Sequence, residues 1–295
     1  MRFSNIRNSI RYTKNQLKIV NINSKYFLGT RIILKKGLIP WVDFYPGYKD
    51  ELLKLRNKYL DKRCFIIGGG PSLNSMNLTP LKDELTIGLN GVFKKFPSLG
   101  FTTNFLMAED ENVVKSYGDA YGKLDNITKL FALHNSKYID NTKSTIFFNT
   151  NFPADNVYWQ NGREFSKYFF HIAYLGGTIT YLALQFAYLL GCKEVYLLGI
   201  DFSYGDRYMK KYSNLQGQEV VVDEEMLEIL KESYFDPSYI SLKTGDLINV
   251  PNWDIQKQSF EKARQVFEES GRKIYNAGIQ SKLDVFEKVN FISLF

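Results

Sequence analysis

Cysteine, histidine and proline are scarce in this sequence: two, two and eight among 295 residues. Cys64 and Cys192 lie in separate apolar runs, with no Cys or His partner at metal-ligand spacing. Neither a disulfide framework nor a zinc site is therefore expected, and a reducing compartment fits. His134 and His171 stand in unrelated contexts, so no Ser/His/Asp or Cys/His nucleophile arrangement is suggested. His134 follows a strand-like run and reads as a surface-loop residue or as one that reaches a site; His171, between aromatics, reads as a core or lining residue. The basic amino terminus is not followed by an apolar h-region or a small-residue cleavage site, which predicts a cytoplasmic protein. Internal repeats and low-complexity segments are also missing.

A content of 44% hydrophobic and 23% charged residues is that of a globular chain with its own core. The net charge of +7 is localised: residues 1–63 hold 15 Lys/Arg against 4 Asp/Glu, leaving 23 against 27 for the rest. One basic arm on a mildly acidic body is not the pattern of a nucleic-acid binder, and no nucleic-acid partner is expected. In residues 1–36, Ile6, Ile10, Leu17 and Val20 fall near helical spacing among Arg7, Arg11, Lys14 and Lys18. This predicts a basic amphipathic helix, either docked on the body or touching an anionic membrane surface from the inner face. Residues 168–192 lack Asp, Glu, Lys and Arg, a length that could span a membrane. The pair Gly176 and Gly177, the polar Thr178 and Thr180, and Gln185 instead predict a buried helix of an α/β core.

Gly37 to Gly47, with Pro40 and Pro46, reads as a linker, dividing an arm of residues 1–47 from a catalytic domain of residues 48–295. Tyr48 to Leu60 reads as a charged helix. From Arg63, short apolar runs alternate with turns and helices, the signature of a Rossmann-like, mostly parallel sheet flanked by helices. The predicted strands are Cys64 to Ile67, Thr86 to Leu89, Phe105 to Ala108, Lys129 to Leu133, Thr145 to Phe148, Val195 to Leu198 and a returning Lys273 to Asn276, with mostly helical crossovers. Further helices are predicted over Asp223 to Ser233 and Ile255 to Ser270, with a loop over Tyr234 to Trp253.

Four motifs could carry chemistry. In the first, an apolar strand runs into Gly68-Gly69-Gly70-Pro71-Ser72. The glycines permit close backbone approach, and Ser72 can cap a helix whose amides face an anion. The alternatives are a phosphate cradle and a structural tight turn; neither a dinucleotide fingerprint nor a P-loop is present. Second, Asn90 ends the next strand, where open α/β sheets bind ligands; it could read a ribose or base edge, or serve as a turn residue. Third, Glu109, Asp110 and Glu111 form a cluster able to hold Mg2+ against phosphates or to favour a helix start. Fourth, Gly176-Gly177-Thr178 precedes an apolar helix, and Asp201 ends the strand that follows, as a functional carboxylate or a turn cap.

Ile66 to Leu73, Gly88 to Asn90, and Gly176 to Thr178 through Gly191 to Phe202 together resemble the MptE-like family, named after an archaeal 6-hydroxymethylpterin diphosphokinase and common in bacterial surface-polysaccharide gene sets. The ending from Tyr234 to Phe295 resembles its polysaccharide-associated members, so the likeness covers about residues 60–295. The Gly-Pro-Ser and Gly-Ile-Asp-Phe pattern also resembles the family 42 sialyltransferases. That likeness implies a glycosyltransferase of a Rossmann-like fold, with no essential metal or other cofactor, moving a sugar from a nucleotide-sugar donor, CMP-activated and of sialic-acid or related ulosonate type, to a carbohydrate or lipid-linked acceptor. Carried over, the nucleotide-binding positions become Gly68, Gly69, Gly70, Pro71, Ser72, Asn90, Gly177, Thr178 and Asp201. The chain departs from that family at Gly69, where the sialyltransferases have Asn, and at Gly176 and Ile179, where they have Arg and Ser. It also lacks their late histidine base; Asp201, Asp236 or Asp254 is the expected substitute. Two alternatives stand beside this reading: Mg2+-dependent diphosphoryl transfer from ATP to a hydroxymethylpterin, with Glu109, Asp110 and Asp201 as ligands, and a nucleotide-binding or scaffold protein without catalysis.

Overall fold

The computed structural model describes residues 17–24, 27–34, 37–38, 46–139, 143–150, 164–240 and 242–295. Eight parallel strands form its main sheet. In chain order they are β4 (Arg63–Ile67), β5 (Thr86–Leu89), β6 (Phe105–Ala108), β7 (Thr128–Ala132), β8 (Thr145–Phe148), β9 (Glu194–Leu198), β12 (Lys273–Asn276) and β13 (Glu287–Lys288). The spatial order is β13-β12-β9-β4-β5-β6-β7-β8, and every pairing is parallel. The chain builds outward from β4 to β8, then returns to β9 on the other side of β4. The order therefore reverses between β4 and β9, and the crevice beyond their carboxyl ends is where such sheets take ligands.

Alternation along each strand feeds two cores, because successive side chains point to opposite faces. Ile66, Ile87, Met107, Leu130, Phe148 and Leu197 pack on one face under helices α4 (Ile179–Leu190) and α7 (Trp253–Glu269). Phe65, Ile67, Leu106, Phe131, Phe147 and Leu198 pack on the other, beneath α3 (Glu111–Gly122) and several 3-10 turns. Ten of the twelve residues of α4 are buried, as its uncharged sequence predicts for a core helix, and among the described residues no helix is long and apolar enough to cross a membrane. Lys129 is buried at 1% exposure, yet its ammonium bonds the carbonyls of Tyr121 and Leu124 at the end of α3. There it satisfies acceptors that the helix cannot.

A third, smaller core belongs to a cap inserted between β9 and α7. It comprises α5 (Gly205–Tyr212), the antiparallel pair β10 (Glu219–Val221) and β11 (Leu247–Asn249), and α6 (Glu224–Glu232). Tyr208, Tyr212, Val222, Met226, Ile229, Leu230, Val250 and Trp253 fill it.

Some expectations are corrected. In place of a helix through residue 36, the arm has β1 (Leu17–Ser24) and β2 (Phe27–Leu34) paired antiparallel, with a short β3 (Gly37–Leu38). The β-branched Ile19, Val20, Ile22, Thr30, Ile32 and Ile33 favour extended backbone over helix. Residues 1–16, with Ile6 and Ile10, lie outside the described residues, as does most of the Gly37 to Gly47 linker. The charged helix α1 runs Pro46–Leu55, opened by a proline whose missing N–H costs nothing at a first turn. The crossovers flanking β5 are 3-10 turns and a four-residue helix, α2 (Phe96–Leu99), rather than full helices.

Candidate functional site

The carboxyl ends of β4, β5, β6 and β9 bring together most of the residues singled out in the sequence. After β4 the chain turns along β9: Gly68 N–H donates to Leu198 O, and Gly70 N–H to Gly199 O, each at 2.8 Å. This approach requires glycine, since a Cβ on Gly70 would sit 2.3 Å from Asp201 Oδ2 and 2.8 Å from Gly199 O. Ser72 then binds Asp201 twice. Its N–H donates to Oδ2 at 3.0 Å and its hydroxyl to Oδ1. Burial pushes the Asp201 carboxyl up, and the two Ser72 bonds pull it partly back.

These contacts refine the phosphate-cradle reading. Three of the four N–H groups of Gly68 to Ser72 are bound within the protein, and Asp201 stands where an anion would meet Ser72. Among the described residues the Gly69 N–H alone in that run has no partner. More amides are open at the start of α4. Because α4 runs back before β9, its amino terminus lies at the same edge. Thr178 caps it, accepting from Thr180 N–H at 3.3 Å. The N–H groups of Gly177, Thr178 and Ile179 have no partner among the described residues. Gly177 has φ +75, in the left-handed region, and its carbonyl accepts from Gln256 Nε2 at 2.9 Å, so the loop is tied to α7.

Asn90 follows β5 with φ +49, a conformation more accessible to Asn than to most residues. Its Oδ1 is buried without a hydrogen-bond partner, an arrangement that native proteins avoid unless something else supplies the donor. Beside it, the cap reaches across through residues 234–240. Phe235 N–H donates to Gly69 O at 3.0 Å, and Asn74 Nδ2 to Phe235 O at 2.8 Å. Lys94 Nζ binds Ser238 O at 2.7 Å, and the Tyr117 hydroxyl binds Tyr239 O. The rings of Tyr234 and Tyr239 stack at 4.2 Å. Tyr234, Tyr239 and Tyr117 carried no local sequence signal for this edge.

Glu109 and Asp110 reach it from β6. Glu109 Oε1 lies 3.2 Å from His134 Nε2, and Asn135 Nδ2 donates to the Glu109 carbonyl. Asp110 caps α3 by accepting from Val113 N–H at 3.0 Å. The Asp110 side chain is open to solvent, yet its surroundings push its carboxyl up by desolvation. Its charge is felt by Tyr204 and Tyr234, which are half-buried and raised chiefly by desolvation. The Mg2+ ligand set expected of Glu109, Asp110 and Asp201 does not assemble: each carboxylate has its own protein partner, and the described residues contain no group of three or more His, Cys, Asp or Glu able to hold a metal.

The carboxylates expected as bases stand in three different settings. Both oxygens of Asp201 hold Ser72, so it positions the loop. Asp236 caps a 3-10 turn by accepting from Ser238 N–H at 2.7 Å, and its carboxyl is lowered by the Ser238 side chain and backbone. Asp254 is solvent-exposed in the first turn of α7. His171 is exposed rather than part of the core.

No curated protein matches the chain. A solved structure similar to it is that of MAf glycosyltransferase from Magnetospirillum magneticum AMB-1, with a TM-score of 0.49 and 13% identity over 84% of this chain. The match covers 39% of that protein, so the chain spans about two fifths of its length. Residues 43–207, more than half of the chain and the stretch that carries the glycine loop, Asn90, Thr178 and Asp201, match a family described as 6-hydroxymethylpterin diphosphokinase MptE-like, and to that family the chain belongs.

Proposed function

We propose that the protein is a glycosyltransferase that takes a sugar from a nucleotide donor, CMP-activated and of sialic-acid or related type, and delivers it to a glycan or lipid-linked acceptor. The observation that carries the nucleotide site is the unpartnered, buried Asn90 Oδ1 at the carboxyl end of β5, next to the β4 loop that borders the strand-order reversal, beside glycine backbone that a ligand can approach closely. A nucleoside offers the donor that this oxygen lacks. The open N–H groups of Gly69 and of Gly177 to Ile179 would take the donor phosphate, where the positive end of α4 favours the charge released as the sugar departs. Asp201 holds the Ser72 turn in shape for this. The CMP-sugar assignment rests on the sequence likeness to the sialyltransferases.

Calorimetric titration with CMP, CDP, UDP, GDP and ATP, each with and without Mg2+, tests this reading. Metal-independent CMP binding is expected, weakened about tenfold in Asn90→Ala, the usual scale for removing one hydrogen-bonding group from a buried polar contact. Binding of ATP alone, and only with Mg2+, would replace glycosyl transfer by diphosphoryl transfer.

A further inference from the structure

The groove between the β4 and β5 loops, where the proposed function places the donor nucleoside, is filled by the protein's own Tyr239. A Cβ on Gly69 would lie 3.0 Å from the Tyr239 ring, and one on Gly91 would lie 2.7 Å from it. The ring therefore rests on bare backbone at both loops at once and bridges them. Its hydroxyl faces the Gly91 N–H and the Asn90 side chain, both placed to stabilise oxygen there. Tyr234 covers it from outside at 4.2 Å, and Tyr239 itself is 6% exposed. A planar ring on a glycine floor, with a hydroxyl against Asn90 and a backbone amide, has the shape and hydrogen-bonding character of a nucleoside. The Asn90 Oδ1 is still buried there without a hydrogen-bond partner.

We propose that Tyr239 is a built-in competitor for the nucleoside of the donor. The phenol occupies the groove in the empty protein, and a nucleotide binds only by displacing it from Gly69 and Gly91. The peptide around it is held separately, through Phe235 N–H to Gly69 O and Tyr117 to Tyr239 O, so displacement concerns the side chain and not the docking of the cap. Two glycines and one tyrosine, distant in sequence, thus set how tightly the site takes its donor. This proposal rests on the nucleotide reading above.

The test is titration of CMP and ATP into the full-length protein and into Tyr239→Ala and Tyr239→Phe, with thermal unfolding of each run alongside. Tyr239→Ala is expected to bind CMP about tenfold more tightly, as when the open fraction rises from about a tenth to nearly all molecules. Tyr239→Phe keeps the ring but loses the hydroxyl contacts, and a smaller tightening, about twofold, is expected. Should Tyr239→Ala not fold, the Phe variant decides by the same sign. Equal or weaker binding by a folded variant, with the wild type binding normally, overturns the competitor role and leaves the nucleotide site standing. No nucleotide binding by any of the three proteins overturns the nucleotide site and the competitor together.

Discussion

The sheet and the cap are held together by different kinds of bond. Around β4 and β9 the contacts are backbone to backbone and strand to strand, with side chains from adjacent strands meeting in two continuous cores. The cap meets the sheet edge mostly through side chains reaching for carbonyls: Asn74 for Phe235, Lys94 for Ser238, Tyr117 for Tyr239. Its interior is a separate cluster built on Tyr208, Met226, Ile229 and Trp253. The tip of the cap also buries Phe235 and Tyr239 in the sheet's second core, whereas its interior is a separate small cluster that can open without unstacking the sheet, and local opening of this kind is where ligand-binding segments are drawn from.

The largest test of this difference is in the sheet. Phe186 of α4 is fully buried, edge-on to Phe105 at 5.1 Å and tilted against Phe169 at 5.6 Å. Phe186→Ala is expected to lose about 4 kcal/mol of global stability in chemical denaturation, from transfer and cavity together. Loss of protection should then extend through β4, β9 and the cap alike. In the cap, Ile229→Ala removes a residue 2% exposed from the smaller core. The expected cost is about 2 to 3 kcal/mol, and hydrogen exchange should confine it to α5, α6 and residues 234–240. If β4 and β9 lose protection equally in Ile229→Ala, the two regions are one cooperative unit and the contrast fails.

The same contrast explains what the sequence revealed. Strands β5, β6, β8 and β12 are four-residue runs, mostly apolar or β-branched, that end at a turn, and their predicted bounds coincide with those observed; β4 and β9 begin one residue earlier, and β7 is displaced by one residue. Each is a local signal: buried on both faces, a parallel strand reads as a short apolar run. The arm misled because Ile and Val satisfy a helical spacing and a strand preference together, and pairing decided for strands. β10, β11 and β13 have two or three residues each, too few for any period. At the site, Gly68 to Ser72, Asn90, Thr178 and Asp201 were legible because turn chemistry at a strand tip is local. Tyr234 and Tyr239 were not, since a ring lying on Gly69 from the far side of the chain leaves no mark in the residues around either partner. The hydrogen bonds of Asp201 and Asp236 were not legible for a related reason: a carboxylate's sequence context does not tell which amide it will bind.

The smallest effect sharpens the comparison at the point where cap meets sheet. Asp236 caps the 3-10 turn Pro237–Tyr239 that carries Tyr239, and its carboxyl lies below its ordinary value because Ser238 donates to it, with Lys94 and Lys95 nearby. A carboxyl lowered by folding contributes stability that is fully present above its unfolded value, about 3.9, and is lost as pH falls through the lower folded value. Asparagine caps almost as well without the charge. Asp236→Asn is therefore expected to be about 0.5 kcal/mol less stable than the wild type at pH 7, the scale of one half-exposed charge-assisted contact, and the gap should close as pH falls below the unfolded value of about 3.9 and through the lower folded one. Thermal unfolding of both proteins from pH 7 downward measures it. Convergence as pH falls reports the loss of the carboxylate charge. A gap independent of pH would mean that Asp236 holds the turn by its shape and not by its charge, and that the carboxylate adds nothing to the hydrogen bonds and ring packing that join the tip of the cap to the sheet.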